Sequence, residues 1–353
     1  MNGIKLTRKK EDKRMERLEG ESSRINWRQT LIDGRSYIIL IVLLVIFAVG
    51  TEGFINPINL LNMVKRQSYI AVAGFAATFV ITLGGLDLSV GAIAALSGVS
   101  FALLLQRPFM MQLGNGGLFL SVVITLLIAG FCGFLNGFLS VKGRITPFLV
   151  TLATMNIYRS IAIVLSDSKE ITITNPIFST IFATGKVFGV IPTPVVILIV
   201  TFLLSWFLFQ RTKYGYYVKA IGGNEEAARV SGIRIDKIKI ITYTLNGVYA
   251  GIASLMIAGL YSSGSPSGCV DLALDSIAAV ILGGTAIVGG NGKIWGTLAG
   301  ILILAVIING MTLFGAMYDI QLLVKGIVII LAVLLDNALS QRKKLIPSFL
   351  KFR

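Results

Sequence analysis

The amino-acid sequence predicts an all-α integral membrane protein with about ten transmembrane helices. Hydrophobic residues make up 55% of the chain and charged residues 14%, and the mean hydropathy is +0.82. A soluble domain contains about 45–50% apolar and about 25% charged residues, so this composition indicates a lipid bilayer. Ten segments approach the roughly 20 apolar residues that a membrane-crossing helix needs. In addition, Lys and Arg gather in alternate loops between these segments, which is typical of cytoplasmic loops.

The predicted spans follow one another closely along the chain. They cover residues 36–54, 68–86, 88–105, 116–140, 145–166, 190–210, 239–262, 273–290, 294–314 and 320–339. The second and third are nearly continuous, as are the eighth and ninth. An eight-span protein is therefore the main alternative.

The distribution of positive charge predicts that both termini are cytoplasmic. With ten spans, 25 of the 32 Lys and Arg residues fall on the inner side and five on the outer side. The chain then divides into a charged cytoplasmic segment (1–35), a transmembrane domain (36–340) with a long inner loop (211–238), and a basic cytoplasmic tail (341–353). No small-residue cleavage site follows the charged start, so the first span is expected to be retained.

Composition excludes several classes of function. The chain has no histidine, which excludes HExxH zinc sites and Ser-His-Asp triads. No segment matches GxxxxGK[ST], so the polypeptide is not expected to hydrolyse ATP by itself, and we expect no cofactor or metal. The net charge of +15 lies mostly outside the apolar segments and indicates contact with anionic lipid headgroups rather than nucleic acid. Cys132 and Cys269 are far apart in sequence and are predicted to be packing residues.

A polar stretch, "AIGGNEEAARVSGI" from Ala220 to Ile233, interrupts the apolar sequence. Asn224 is a favourable N-cap, two glutamates follow in the first turn, and Gly232 can take the left-handed conformation that ends a helix. The pattern predicts a helix of about seven residues, about 10 Å long, which is too short to be stable in water. It therefore needs a surface to dock against. The alternative is a solvated helix at the membrane face.

Glycine-rich breaks interrupt two apolar regions. In "ITLGGLDLSVGAIAALSG" (81–98), Asp87 is an acid within hydrophobic sequence, and such residues mark function by default. The alternative is that Asp87 caps the next helix by accepting a hydrogen bond from around Ser89. A second break, "VILGGTAIVGGNGKIWGTLAG" (280–300), repeats three glycines of the first at a constant offset of 199 residues. Paired interrupted spans point to a transporter pathway.

A few polar residues fall within the predicted spans. Arg159 and Lys325 are expected to reach an interface, pair with a carboxylate such as Asp87, Asp275 or Asp336, or line a wet cavity. Asn309 lies in apolar surroundings, where an amide hydrogen-bonds to a neighbouring helix or faces the solute. We therefore treat Asn309, with Asp87 and Ser89, as a candidate pathway residue.

Three long motifs resemble the ribose-type permeases of bacterial ABC monosaccharide importers. They are "GGLDLSVGAIAALSG", "YVKAIGGNEEAARVSGIRIDKIKIITYTLNG" and "LDSIAAVILGGTAIVGGNGKIWGTLAGILILAVIINGMTLFG". Weaker similarity covers nearly everything from about residue 36 onward. The resemblance implies the ABC importer permease fold, with a cytoplasmic coupling helix, in the bacterial inner membrane.

The resemblance also implies partners and site residues. A cytoplasmic ABC ATPase would drive transport, an extracytoplasmic sugar-binding protein would deliver the solute, and a second permease subunit, identical or homologous, would complete the pathway. The residues implied to belong to the short helix and to contact the ATPase are Gly222, Gly223, Asn224, Glu225, Glu226, Ala228, Arg229 and Gly232. Ribose is the expected solute, and other monosaccharides, polyols and nucleosides are alternatives. The rival functions are an ion-coupled secondary transporter with Asp87 as the ion carrier, and an integral-membrane enzyme.

Overall fold

The computed structural model describes residues 34–344 and is mainly helical. Residues 1–33 of the predicted charged segment and residues 345–353 of the predicted basic tail therefore lie outside the described residues. The helices are α1 (Arg35–Gly50), α2 (Pro57–Thr82), α3 (Val90–Leu105), α4 (Pro108–Gln112), α5 (Asn115–Lys142), α6 (Pro147–Leu165), α7 (Pro176–Ser179), α8 (Thr193–Arg211), α9 (Lys213–Gly223), α10 (Glu225–Val230), α11 (Ile235–Tyr261), α12 (Leu272–Leu282), α13 (Ile294–Leu313) and α14 (Tyr318–Lys344).

Short strands and one π-helical turn lie in the connections. The strands are β1 (Ile171–Thr172), β2 (Lys186–Val187), β3 (Ile191–Pro192) and β4 (Ser263–Gly264), and the π-helical turn is Thr180–Thr184. They form two antiparallel pairs, with Ile171 opposite Gly264 and Lys186 opposite Pro192. The predicted spans are thus helical, as expected for an all-α protein, and the four short strands lie in the connections between helices.

Each of the ten predicted apolar segments overlaps a separate helix. Within residues 34–344, five helices are long and apolar enough to cross a membrane: α5, α6, α8, α11 and α13. α1, α3 and α12 are apolar but shorter. At a rise of about 1.5 Å per residue, the 11 residues of α12 extend only about 16 Å, roughly half of a bilayer core.

Helix boundaries follow local capping chemistry, and the two that differ most from the prediction are the start of α2 and the end of α12. α2 begins at Pro57 rather than near residue 68, because Asn56 accepts a hydrogen bond from the Ile58 amide at 2.9 Å and proline favours the first helical position. α2 consequently includes Lys65 and Arg66. α12 ends at Leu282 rather than near residue 290, because the glycine-rich segment after it leaves the helical path.

The core consists of α2, α3, α11, α12 and α13. In the most apolar stretches of α11 and α13, 67% and 72% of residues are buried, against 28% in α6 and 33% in α8. The outer helices expose large apolar side chains, which suits contact with lipid. Small residues let the inner helices approach closely: a Cβ on Gly133 of α5 would lie 3.0 Å from the Gly247 Cα of α11.

Candidate coupling site and solute pathway

The two glycine breaks and the end of α9 meet at one place. Thr82, the last residue of α2, accepts a hydrogen bond from the Gly290 amide at 2.8 Å. A Cβ on Gly222 would clash with the Thr82 carbonyl oxygen and lie 2.7 Å from the Gly290 nitrogen. A Cβ on Gly289 would lie 3.1 Å from the Gly84 Cα. We call this cluster the glycine junction; it comprises Gly84, Gly222, Gly223, Gly289 and Gly290.

Both breaks begin with the same C-terminal motif. At the end of α2, Gly84 has φ +87° and Gly85 donates its amide to the Val80 carbonyl. At the end of α12, Gly284 has φ +82° and Thr285 donates to Val280. These are two Schellman motifs, in which a left-handed glycine satisfies the last carbonyls of a helix. They correspond at an offset of 200 residues, so the sequence offset of 199 was wrong by one residue: it paired Gly84 with Gly283, which is not left-handed.

The short helix α10 has the predicted ends. The Asn224 side chain accepts a hydrogen bond from the Ala227 amide at 2.9 Å. At the other end Gly232 has φ +82°, and the Ile233 amide donates to the Ala228 carbonyl. The helix has six residues rather than the predicted seven.

α9 positions α10 against the helical bundle. This helix lies in a region predicted as loop, and it contains Gly222 and Gly223, which therefore precede the short helix rather than belong to it. The Tyr214 hydroxyl hydrogen-bonds to the Thr242 hydroxyl of α11 at 2.9 Å. Lys219 lies 4.3 Å above the ring centre of Phe209 in α8, and partial burial lowers the pKa of Lys219.

α10 presents one buried face and one exposed face. Ala228 is 4% exposed, and Lys239 of α11 donates to both oxygens of the Glu225 carboxylate at 2.8 and 2.9 Å. The Glu226 side chain is 80% exposed, and Val230 is 85% exposed. Arg229 lies 3.7 Å from Glu226 and 3.4 Å from Glu225, on the helix surface. The candidate coupling residues are thus brought together, with the exposed ones facing away from the bundle.

Asp87 is the centre of a buried polar network in the first glycine break. One carboxylate oxygen accepts from the Ser89 amide at 2.9 Å and the Ser89 hydroxyl at 2.6 Å, and the other accepts from Asn246 of α11 at 2.9 Å. Asn136 of α5 donates to the Ser89 hydroxyl, and the Tyr158 hydroxyl of α6 donates to Asn136. The hydrogen bond required by the capping alternative is present. The network joins the start of α3 to three other helices.

Asn309 lies in α13, apart from this network. Its side-chain nitrogen is buried and has no hydrogen-bond partner among the described residues. The structure therefore brings Asp87 and Ser89 together but does not bring Asn309 to them.

Arg159 and Lys325 both bind within the protein. Arg159 donates to the carbonyls of Pro266 and Gly268, each at 2.6 Å, and so holds the non-helical segment between α11 and α12. Lys325 of α14 pairs with Asp275 of α12 at 2.6 Å, with side chains 15% and 12% exposed. Pairing with Asp275, one of the predicted alternatives for Lys325, is confirmed. In the part of the chain that the structure describes, no group of His, Cys, Asp and Glu could hold a metal ion.

Comparison with known proteins assigns the family. The family described as branched-chain amino acid transport system / permease component matches residues 59–333. The chain belongs to this permease family. The match covers both glycine breaks, α9 and α10, so the glycine junction lies wholly inside the family domain.

Relatives of this permease are named as sugar importers. It is 36% identical to the ribose import permease protein RbsC of Haemophilus influenzae over 92% of this chain and 99% of the relative. It is 37% identical to RbsC of Bacillus subtilis over the same shares, and 34% identical to the L-arabinose ABC transporter permease protein AraH of Azospirillum brasilense over 85% and 86%. No solved structure matches the chain. The chain is therefore a multi-pass membrane permease of the ABC importer type, a transport component rather than an enzyme.

Proposed function

We propose that this permease imports a monosaccharide, most specifically ribose, and that α10 is the helix through which an ABC ATPase drives it. The observation that carries the proposal is the position of α10. This helix comes directly after the glycine junction along the chain, and both helix breaks meet at that junction. The exposed side chains of Glu226, Arg229 and Val230 form the face offered to the ATPase. Close packing at Gly222 transmits the movement, and Gly223 joins this residue to α10. Asn224 and Gly232 hold the ends of α10, Glu225 attaches it to α11, and Ala228 forms its buried side.

The contacts of α9 suggest how movement reaches the pathway. Backbone atoms of Gly222 lie against Thr82 at the end of α2 and against Gly290 after α12, with no side chain between them. A displacement of α10 therefore pushes directly on the end of α2 and on the segment that joins α12 to α13. Packed helices switch between discrete arrangements rather than deform continuously, so such a push opens one face of the pathway and closes the other.

In this proposal Asp87 and Ser89 shape the pathway by holding the broken helix in place. Their hydrogen bonds to Asn246 and Asn136 fix the start of α3 against α11 and α5. Asn309 is proposed to reach the pathway through its unpaired amide nitrogen.

The proposed topology has ten spans, cytoplasmic termini and a second permease subunit, in the bacterial inner membrane. The ten predicted segments that overlap separate helices support the count, and the lopsided distribution of Lys and Arg supports the orientation. α9 and α10 then lie on the cytoplasmic side with the ATPase, and an extracytoplasmic binding protein delivers the sugar to the opposite side.

The solute is proposed from the relatives named as ribose import permeases, which align with this chain over nearly their whole length. The test is uptake of radiolabelled D-ribose into proteoliposomes that contain the permease, its ATPase and the binding protein. We expect uptake that requires ATP and both partners, with L-arabinose and D-allose taken up more slowly. Uptake driven by a proton or sodium gradient in liposomes that contain this chain alone would overturn the importer mechanism.

A further inference from the structure

A cavity of about 670 Å³, lined by both polar and apolar residues, lies at the end of the bundle opposite the glycine junction. Its wall comes from α2, α11, α12, α13, α14 and the segment between α11 and α12. Gln67 lines it and lies 15 residues before Thr82, which places it about 22 Å from the junction along α2. The volume falls within the roughly 300–1,000 Å³ of small-molecule sites. The sequence indicated no such pocket, because its residues come from segments as far apart as those of Arg66 and Lys325.

One buried polar atom in this wall has no partner. Gln67 is 8% exposed, and its side-chain oxygen accepts no hydrogen bond among the described residues. A buried acceptor without a donor is unfavourable, and native proteins contain few of them. Rotation of the Gln67 amide would turn this oxygen toward the cavity, where an O–H donor from a bound molecule would satisfy it.

The charges around the cavity cancel. Lys325 pairs with Asp275 at 2.6 Å, and the remaining charged residues in the wall are Arg66 and Asp271. The Asp271 carboxylate also accepts a hydrogen bond from the Tyr318 hydroxyl at 3.1 Å. Two cations and two anions give no net charge, so the wall does not select for an ionic solute.

Tyrosine side chains form a further part of the wall, beside aliphatic residues such as Ile70 and Ile308. Tyr69, Tyr261 and Tyr318 line the cavity, and Thr312 and Gln321 add further groups that donate or accept hydrogen bonds. Tyrosine offers an apolar ring face together with a polar hydroxyl. This combination suits a compact molecule with C–H faces and several hydroxyl groups.

We propose that this cavity binds a neutral, polyhydroxylated solute during its passage, with Gln67 accepting a hydrogen bond from a solute hydroxyl. The proposal rests on the proposed sugar import and adds a contact site within the permease itself. Affinity for the sugar is then not confined to the binding protein.

The test replaces Gln67 with methionine in the complete importer. Methionine has a similar length but no acceptor oxygen, so Gln67→Met removes the proposed solute contact together with an unsatisfied buried group. We expect the initial rate of D-ribose uptake to fall about fivefold to tenfold, which corresponds to one lost hydrogen bond. Thermal unfolding of the purified permease should occur at the same or a higher temperature, and ATPase binding should be unchanged. The matched control is Gln112→Met, at an exposed position in α4, which should leave uptake unchanged.

The outcomes separate this inference from the proposed function. If the unmodified importer shows no ATP-dependent ribose uptake, the proposed function fails whatever the variant does. If the unmodified importer works and Gln67→Met transports ribose at the same rate, the cavity site is wrong. Lost uptake together with lost thermal stability or lost ATPase binding also overturns it, because that result assigns Gln67 to structure or assembly.

Discussion

Lys239 at the start of α11 donates two hydrogen bonds, at 2.8 and 2.9 Å, to the carboxylate of Glu225, the first residue of α10. A helix of six residues cannot maintain itself in water, so this pair and the buried Ala228 hold α10 in place. The two glutamates of the motif therefore have different tasks. Glu225 binds inward, and Glu226 is exposed.

Charge reversal at Glu225 should loosen α10, and exchanging the two charges should restore it. We expect Glu225→Lys or Lys239→Glu to reduce ATPase association, because either variant places like charges together at the attachment. The double variant Glu225→Lys with Lys239→Glu re-forms an ion pair and should recover a large part of the association, a coupling that a double-mutant cycle measures. Equal losses in the single and double variants would contradict this role of the pair.

The exposed face of α10 should determine ATPase binding without affecting the fold. Glu226→Lys and Val230→Asp change side chains that are 80% and 85% exposed, so the free energy of unfolding should change by no more than about 0.5 kcal/mol. Co-purification with the ATPase should fall sharply in both variants. Exposed Lys169, outside the proposed coupling surface, provides a control as Lys169→Glu. Unaffected assembly and uptake in the α10 variants would remove the coupling role.

Adjacent glycines at the end of α9 should respond differently to alanine. A Cβ on Gly222 would clash with the Thr82 carbonyl, whereas a Cβ on Gly223 has nothing within 4 Å. Gly222→Ala should therefore displace α9 from the junction and abolish ATP-driven uptake, and Gly223→Ala should be tolerated. Initial uptake rates and thermal unfolding of both purified variants test this. Similar behaviour of the two would mean that close packing at Gly222 does not carry the movement.

The sequence predicted the helices of this fold better than their meeting points. Apolar segment length located the core helices, and capping chemistry located the ends of α10, because both are local properties of the chain. α9 was missed because Lys213 and Lys219 made its region resemble a loop, although Tyr214, Val218 and Ile221 recur at helical spacing and Val218 and Ile221 are buried.

The glycine junction and the cavity beside Gln67 could not be predicted from apolar segment length or capping chemistry. Each is formed by segments far apart in sequence, such as Thr82 with Gly290, or Gln67 with Lys325. Hydrophobic patterns record which face of a helix is buried but not which partner covers it. The offset of 199 shows the same limit, because it matched residue types where the backbone conformations correspond at 200.

The last prediction concerns the hydrogen-bond polarity around Asp87, which accepts from Ser89 on one oxygen and from Asn246 on the other. Asp87→Asn removes the charge that accepts these hydrogen bonds, and its NH₂ group faces either the Ser89 donors or the Asn246 NH₂ group, which must then turn to present its oxygen. The variant should therefore destabilise the permease by about 1–3 kcal/mol. Replacing Asn246 with Asp in the same chain restores an acceptor opposite that NH₂ group. The double variant Asp87→Asn with Asn246→Asp should therefore recover thermal stability and ATP-driven uptake relative to Asp87→Asn alone. Unfolding temperatures and uptake rates of the three proteins measure this recovery. Recovery of stability without recovery of uptake would show that the carboxylate must lie at position 87 for transport, and would contradict a purely bracing role.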